Sequence, residues 1–231
     1  MTPRTETDGR AAADRDYQIT TELVDERTFI DKQTMARPRT VEDAEIVAAA
    51  GRVIGRVGPA KLTLALVVRE VGLAPATLIQ RFGSKRGLLL ALGKSGGEDD
   101  GGAFMEKLRR KHGSPLAVLR AFLLGFAEMA KTPHEMANHL AAFQMDLADP
   151  ELREVTRKIL EQNETSVARL LREALDAGEI QNCAPDLLAP VLLTVAQGSL
   201  LSWSVFRKGT ARRWVKRHLD TTLAPYLRES P

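Results

Sequence analysis

The sequence predicts an all-α protein with a small N-terminal three-helix head and a larger C-terminal helical body. Three observations carry this. From Thr40 onward apolar residues recur three and four apart, glycine and proline punctuate that period where helices would start and stop, and no segment alternates as a strand would. At 231 residues and 25.4 kDa the chain can bury a real core. Its 44% hydrophobic and 27% charged residues are ordinary for a soluble globular chain. The single cysteine, Cys183, excludes an internal disulfide framework and a cysteine-based zinc site, and suits a small residue in a reducing cytosol. The N-terminus lacks the cationic, apolar and small-residue series of a signal peptide, so the expected location is cytoplasmic.

Residues 1–34 show no sustained period and are expected to be a disordered extension. Met35 is followed by "ARPRT", which makes it a candidate start for a shorter product. Thr40 with Asp43 resembles a capping box, and Ala44, Val47, Ala50, Ile54 and Val57 keep helical spacing until Gly58 and Pro59. Thr63 then caps a second helix whose inner face is Leu64, Val67, Val68 and Val71, and Gly72 ends it. Leu73 turns inward, Ala74 stands at the next cap position, and Pro75 opens a third helix where its missing N–H costs nothing. Leu78 and Phe82 share that helix's inner face, leaving Pro75, Ala76, Thr77, Ile79, Gln80 and Arg81 mostly outside. Two short helices joined at a tight glycine corner form a helix-turn-helix, with a second helix small and polar enough outside to enter a major groove.

Charge agrees with this. Residues 1–34 hold five Lys/Arg and eight Asp/Glu, net −3; residues 35–95 hold ten and four, net +6; residues 96–231 hold eighteen of each, net 0. A local basic excess of this kind recruits phosphate and binds it in a salt-dependent way.

The stretch "LTLALVVREVGLAPATLIQRFGSKRGLLLAL", residues 62–92, resembles without gaps the DNA-binding signature of the TetR (tetracycline-repressor-like) transcriptional regulators. The resemblance implies a DNA-binding domain over 35–92, with 75–81 as recognition helix and with Arg39, Thr63, Pro75, Ala76, Thr77, Ile79, Gln80, Arg81 and Lys85 at the duplex. Lys85 would touch phosphate beside its helix's first amides. By its chemistry Gln80 can read adenine, and Thr77 can meet a thymine methyl or a phosphate. Arg81 is open between phosphate and solvent, and Arg37 is expected to stay mobile. The sequence departs from the family at Ala74, where Ser or Thr is common, at Pro75, and at Ile79, where relatives carry a phosphate-contacting tyrosine. The operator therefore does not follow from relatives.

A fourth helix is expected from Ser84, with Leu88, Leu89 and Leu92 inside. It meets "GKSGGEDDGG", residues 93–102, with five glycines in ten positions, which predicts a connecting loop between head and a body over 93–231. Further helical blocks follow. One carries Leu116, Leu119, Phe122, Leu123, Phe126 and Met129; the next carries Met136, Leu140, Phe143 and Leu147; Asp149 and Pro150 then open a long helix ending at Gly178. Residues 187–206 carry no charge, but Thr194, Gln197, Ser199, Ser202, Ser204 and Pro190 make a poor membrane span. With the helix of Trp214, Val215, Leu219 and Leu223 they resemble the family's dimer-forming last two helices, about 185–227, which implies a homodimer on two half-sites.

"HEMANH", residues 134–139, places its histidines five apart, about 140° around a helix, so the zinc-protease geometry is not met and neither metal nor catalysis is expected. An interhelical effector pocket is expected instead, with Phe122, Phe126, Met129, His139, Phe143 and Trp203 as candidate lining. The whole predicts a repressor released by a small apolar or amphipathic molecule and needing no cofactor. The competing reading is a helical small-molecule-binding protein whose helix-turn-helix no longer reads DNA.

Overall fold

The computed structural model describes residues 41–98 and 100–228, with side chains for all but 96–101. The expectations for 1–34, for Met35, and for Arg37, Arg39 and Thr40 lie outside the described residues. Those residues form ten α-helices and two short 3-10 turns, and their one extended pairing is an isolated bridge between Ile180 and Leu227.

The head is α1 (Asp43–Val57), α2 (Leu64–Val71) and α3 (Pro75–Phe82), with α4 (Lys85–Glu98) leading out of it. The capping box is not where the sequence predicts it: Glu42 holds the N-cap of α1 and makes no side-chain cap. The other signals hold. Thr63 Oγ1 accepts from Leu66 N at 3.3 Å, and Ser84 Oγ accepts from Gly87 N at 3.1 Å. Gly72 adopts φ 73°, ψ 31°, a left-handed conformation that a side chain disfavours and that turns the chain between α2 and α3. Ile46, Val53, Val67, Leu78 and Leu88 are fully buried at the centre of the head.

The body is α5 (Asp100–Lys111), α6 (Pro115–Gly125), α7 (Pro133–Ala148), α8 (Pro150–Asp176), α9 (Pro185–Phe206) and α10 (Ala211–Leu223). The predicted loop over 93–102 is a correction: backbone is helical through Glu98 and again from Asp100. Packing explains the glycine at 93. A Cβ at Gly93 would sit 2.7 Å from Val155 Cγ1, so here the missing side chain lets α4 lie directly on α8. Asp149 caps α8 as expected, accepting from Glu151 N at 2.9 Å and Leu152 N at 3.2 Å.

Two buried clusters result. The body cluster joins Leu119, Leu123, Leu170, Leu171, Leu192 and Leu219. The head cluster includes one residue from α8, Leu152, at 5% exposure. Burying a leucine contributes about 1.5–3 kcal/mol, so the head's core is completed by the body. Helix α9 is long and apolar enough to cross a membrane, yet its Leu188, Leu192, Leu193, Ala196 and Leu200 pack into the body core.

Candidate nucleic-acid interface and effector cleft

Helix α3 shows why the corner matters. Leu78 is fully buried and anchors the helix, while Pro75, Ala76, Gln80 and Arg81 are exposed, Thr77 is half-buried and Ile79 is 54% exposed. A short helix pinned along one side presents the other as a rigid face. Ala74 provides no side-chain cap, and Pro75 stands at N1, as the sequence predicts.

Two cations near this face have partners within the protein. The Arg81 guanidinium donates through Nη1 to Val41 O at 2.6 Å and to Asp43 Oδ1 at 3.0 Å, tying α3 to the start of α1. Lys85 Nζ donates to Pro59 O at 2.7 Å. Arg52 and Arg56 both bind Glu70 at 2.7 Å, and hydrogen bonds first from Arg56 and then from Arg52 hold its carboxyl below the usual range. Arg86 binds Asp149 at 2.9 Å and Glu151 at 2.8 Å. Glu70 and Asp43 are among the four acids already counted in the net +6 over 35–95, so of these pairs it is that of Arg86 with Asp149 and Glu151 that draws on the basic excess.

Of the six effector candidates, Trp203 belongs to the body cluster and Phe122 and Phe126 pack against it. Phe122 and Phe126 meet edge to face at 6.1 Å, and Phe104 joins them at 6.4 Å from Phe122. Trp203 is 4% exposed and donates to Gly209 O at 3.1 Å in the corner between α9 and α10. Met129 and Phe143 are 49% and 43% exposed, on the outside. The apolar series on α7 is a second correction, since Met136 is buried but Leu140, Phe143 and Leu147 face outward. The face that packs is marked by small and polar residues. Asn138 donates to Gly55 O at 2.8 Å, and His139 lies against Gly55. Small side chains let α7 approach α1 closely, so a search for large apolar residues points to the wrong side.

His139 lines a cleft about 250 Å³ in volume, bounded by α1, α4, α7 and α8. Ile54, Leu89, Leu92 and Val155 give it an apolar wall, and Asp146 a carboxyl. Thr156 Oγ1 donates to Asp146 Oδ2 at 3.2 Å, while burial pushes the Asp146 carboxyl up from its usual value.

Comparison with known proteins bears directly on this arrangement. Residues 46–92 match the model of the bacterial regulatory proteins of the tetR family, and residues 115–219 match that of the tetracyclin repressor-like C-terminal domain. The chain belongs to the TetR family. The TetR head thus spans α1 to α4, and the TetR C-terminal domain α6 to α10. No curated protein is similar enough to the chain to count as a match. Among solved structures, a transcriptional regulator from Saccharomonospora viridis in complex with choline shares 18% identity, covering 81% of this chain and 98% of its own, with a TM-score of 0.63. SmeT, the repressor of the Stenotrophomonas maltophilia multidrug efflux pump SmeDEF, shares 22% over 83% of this chain and 93% of its own, with a TM-score of 0.57. FadR from Bacillus subtilis in complex with stearoyl-CoA shares 19% over 79% and 98%, with a TM-score of 0.58. These likenesses establish a shared TetR fold.

The sequence reading missed the pair of Asp146 and Thr156. Its signal was available: His139, Ala142 and Asp146 follow one another at three- and four-residue intervals, so a lone acid stands on a packing face of α7.

Proposed function

We propose that this TetR-family protein is a homodimeric, ligand-responsive repressor that binds a palindromic operator and is released by a small apolar or amphipathic effector. The observation that carries the DNA half is the face of α3, pinned through Leu78 and open at Pro75, Ala76, Ile79 and Gln80. Gln80 reads a base edge, Thr77 meets a thymine methyl or phosphate, and Thr63 and Arg39 contribute backbone contacts. Arg81 donates through Nη1 to Val41 and Asp43 and Lys85 donates once to Pro59, so each keeps further N–H groups with which to meet phosphate.

The dimer is supported by α9. Its positions 187, 191, 194, 198, 201 and 205 form one exposed stripe at intervals of four and three, with Leu187 at 76% and Val205 at 70% exposure. Apolar ends around a small centre, Thr194 and Gly198, suit close approach of a second α9. For the effector, similar solved structures in complex with choline or with stearoyl-CoA support a small-molecule role here. A TetR regulator of this kind works in the cytoplasm and performs no catalysis.

Selection of random duplex DNA on the purified protein, followed by a salt titration, tests the reading. The expected result is a site of two inverted halves, with affinity falling linearly in log–log salt by about 0.9 per phosphate contacted. The tethered Arg81 and Lys85, with Ala74 and Ile79, favour a second reading in which the helix-turn-helix is scaffold only. A folded dimer that selects no sequence at low salt would establish that one.

A further inference from the structure

Among the described residues lining the junction cleft the acid is Asp146. Asp149 has Arg86, and Glu70 has Arg52 and Arg56. Asp146 has a hydrogen bond from the Thr156 hydroxyl and, among the described residues, no ion pair. Leu89, Leu92, Ile54 and Val155 line the same cleft. Asp146 is half-buried, and hydrocarbon beside a carboxylate disfavours its charged form, which a proton or a positive partner offsets. Burial first, then the negative charge of Asp149, drives it toward the proton, while Thr156 opposes them.

The geometry points to this cleft as a binding site for a small apolar organic cation, an ammonium carried on a ring or short hydrocarbon, with Asp146 as its counter-ion. Thr156 orients the carboxylate through one oxygen and leaves the other for the ammonium. The hydrocarbon meets the leucines of α4 and Val155 of α8. At about 250 Å³ the space falls just under the roughly 300–1,000 Å³ of ordinary ligand pockets, so it selects a compact molecule. His139 stands seven residues before Asp146 on α7, about 10 Å away at 1.5 Å per residue, and closes the far end. The site is separate from the Phe104, Phe122 and Phe126 cluster.

Two walls belong to the head and two to the body, so a molecule here fixes the gap between them. This deepens the effector half of the proposed function and rests on that reading for its regulatory consequence, though not for binding itself. Whichever gap the ligand prefers, DNA affinity changes by the ligand's differential affinity for the two arrangements.

Titration calorimetry of the full chain with benzylammonium, and with benzyl alcohol as its neutral counterpart, tests the site. The amine should bind roughly tenfold or more tightly than the alcohol, as expected for a hydrogen bond to a charged partner. Asp146→Asn should erase that preference, and Ala142→Met, which fills the cleft, should abolish binding of both. Absence of amine binding, equal affinities in the wild type, or a preference that survives Asp146→Asn would each overturn the assignment. The same preparations go through the DNA selection. Protein that binds the amine but selects no DNA sinks the repressor and keeps the site, whereas protein that selects an operator but ignores the amine does the reverse.

Discussion

Gly93→Ala separates helix propensity from helix packing. Alanine in place of glycine inside a helix gains about 1 kcal/mol, and at an open position that gain should appear in full. Gly102 is such a position, with no atom within 4 Å of an added Cβ, so Gly102→Ala should stabilise by about 1 kcal/mol. At Gly93 the added Cβ would stand 2.7 Å from Val155 Cγ1. Valine is stiff at χ1 and cannot swing aside cheaply, so α4 and α8 must separate. Overpacking of this kind costs roughly 1–3 kcal/mol, which outweighs the propensity gain and leaves a net loss of about 1 kcal/mol. In a Val155→Ala background the obstruction is gone and Gly93→Ala should become stabilising by about 1 kcal/mol, a coupling of about 2 kcal/mol in a double-mutant cycle. Urea denaturation of the full chain at fixed protein concentration reads the midpoints of the wild type and of every variant, since any self-association would otherwise shift them. A Gly93→Ala midpoint that rises with that of Gly102→Ala would refute the close approach of α4 to α8.

Acid should expose the clasp between Arg86 and Asp149. The Arg86 guanidinium foremost, then Leu152 N–H, pulls the Asp149 carboxyl down from 3.8 to about 2, so its contribution is complete above about 3.8 and is lost as pH falls toward 2. Asp149→Asn keeps a competent cap and should show a shallower loss of stability over that window; identical acid-unfolding slopes would remove the clasp. Gln80→Ala should cost about 1–3 kcal/mol of discrimination at one base pair per half-site, measured by competition between operator variants, and an unchanged preference would mean another residue reads that base. Leu201→Glu places a charge in the exposed stripe of α9 and should leave a helical monomer in sedimentation velocity, whereas an intact dimer would move the interface elsewhere.

The head was legible because its signals are local. Thr63, Gly72, Pro75 and Leu78 each act within a turn or so of themselves, and all four do in the structure what their chemistry predicts. What failed depended on partners distant in sequence. Glycine density over 93–102 argues for a loop until Val155 is known to lie against Gly93. The large apolar residues of α7 argue for a buried face until Gly55 is known to take Asn138 and His139 on the other side. The cations of the head look free for phosphate until Glu70, Asp43 and Asp149 are placed beside them. Composition counts charges; only folding decides which are already neutralised.

These long-range contacts have a common location, and it bears on how body and head communicate. The first turn of α8 provides Asp149 to Arg86 and Leu152 to the head's core, and Val155 one turn later lies on Gly93. Three successive contacts of different physical kinds, an ion pair, a buried leucine and a backbone-close approach, thus bind one end of one helix to α4. A displacement of α8 within the body cannot be absorbed by loosening any one of them, because interiors packed at this density shift between discrete arrangements rather than stretch. It is passed to α4 and so to α3, whose Leu78 sits in the same cluster as Leu152 and Leu88. A ligand need not touch the helix-turn-helix to alter its aim; a difference in affinity between two positions of α8 is sufficient.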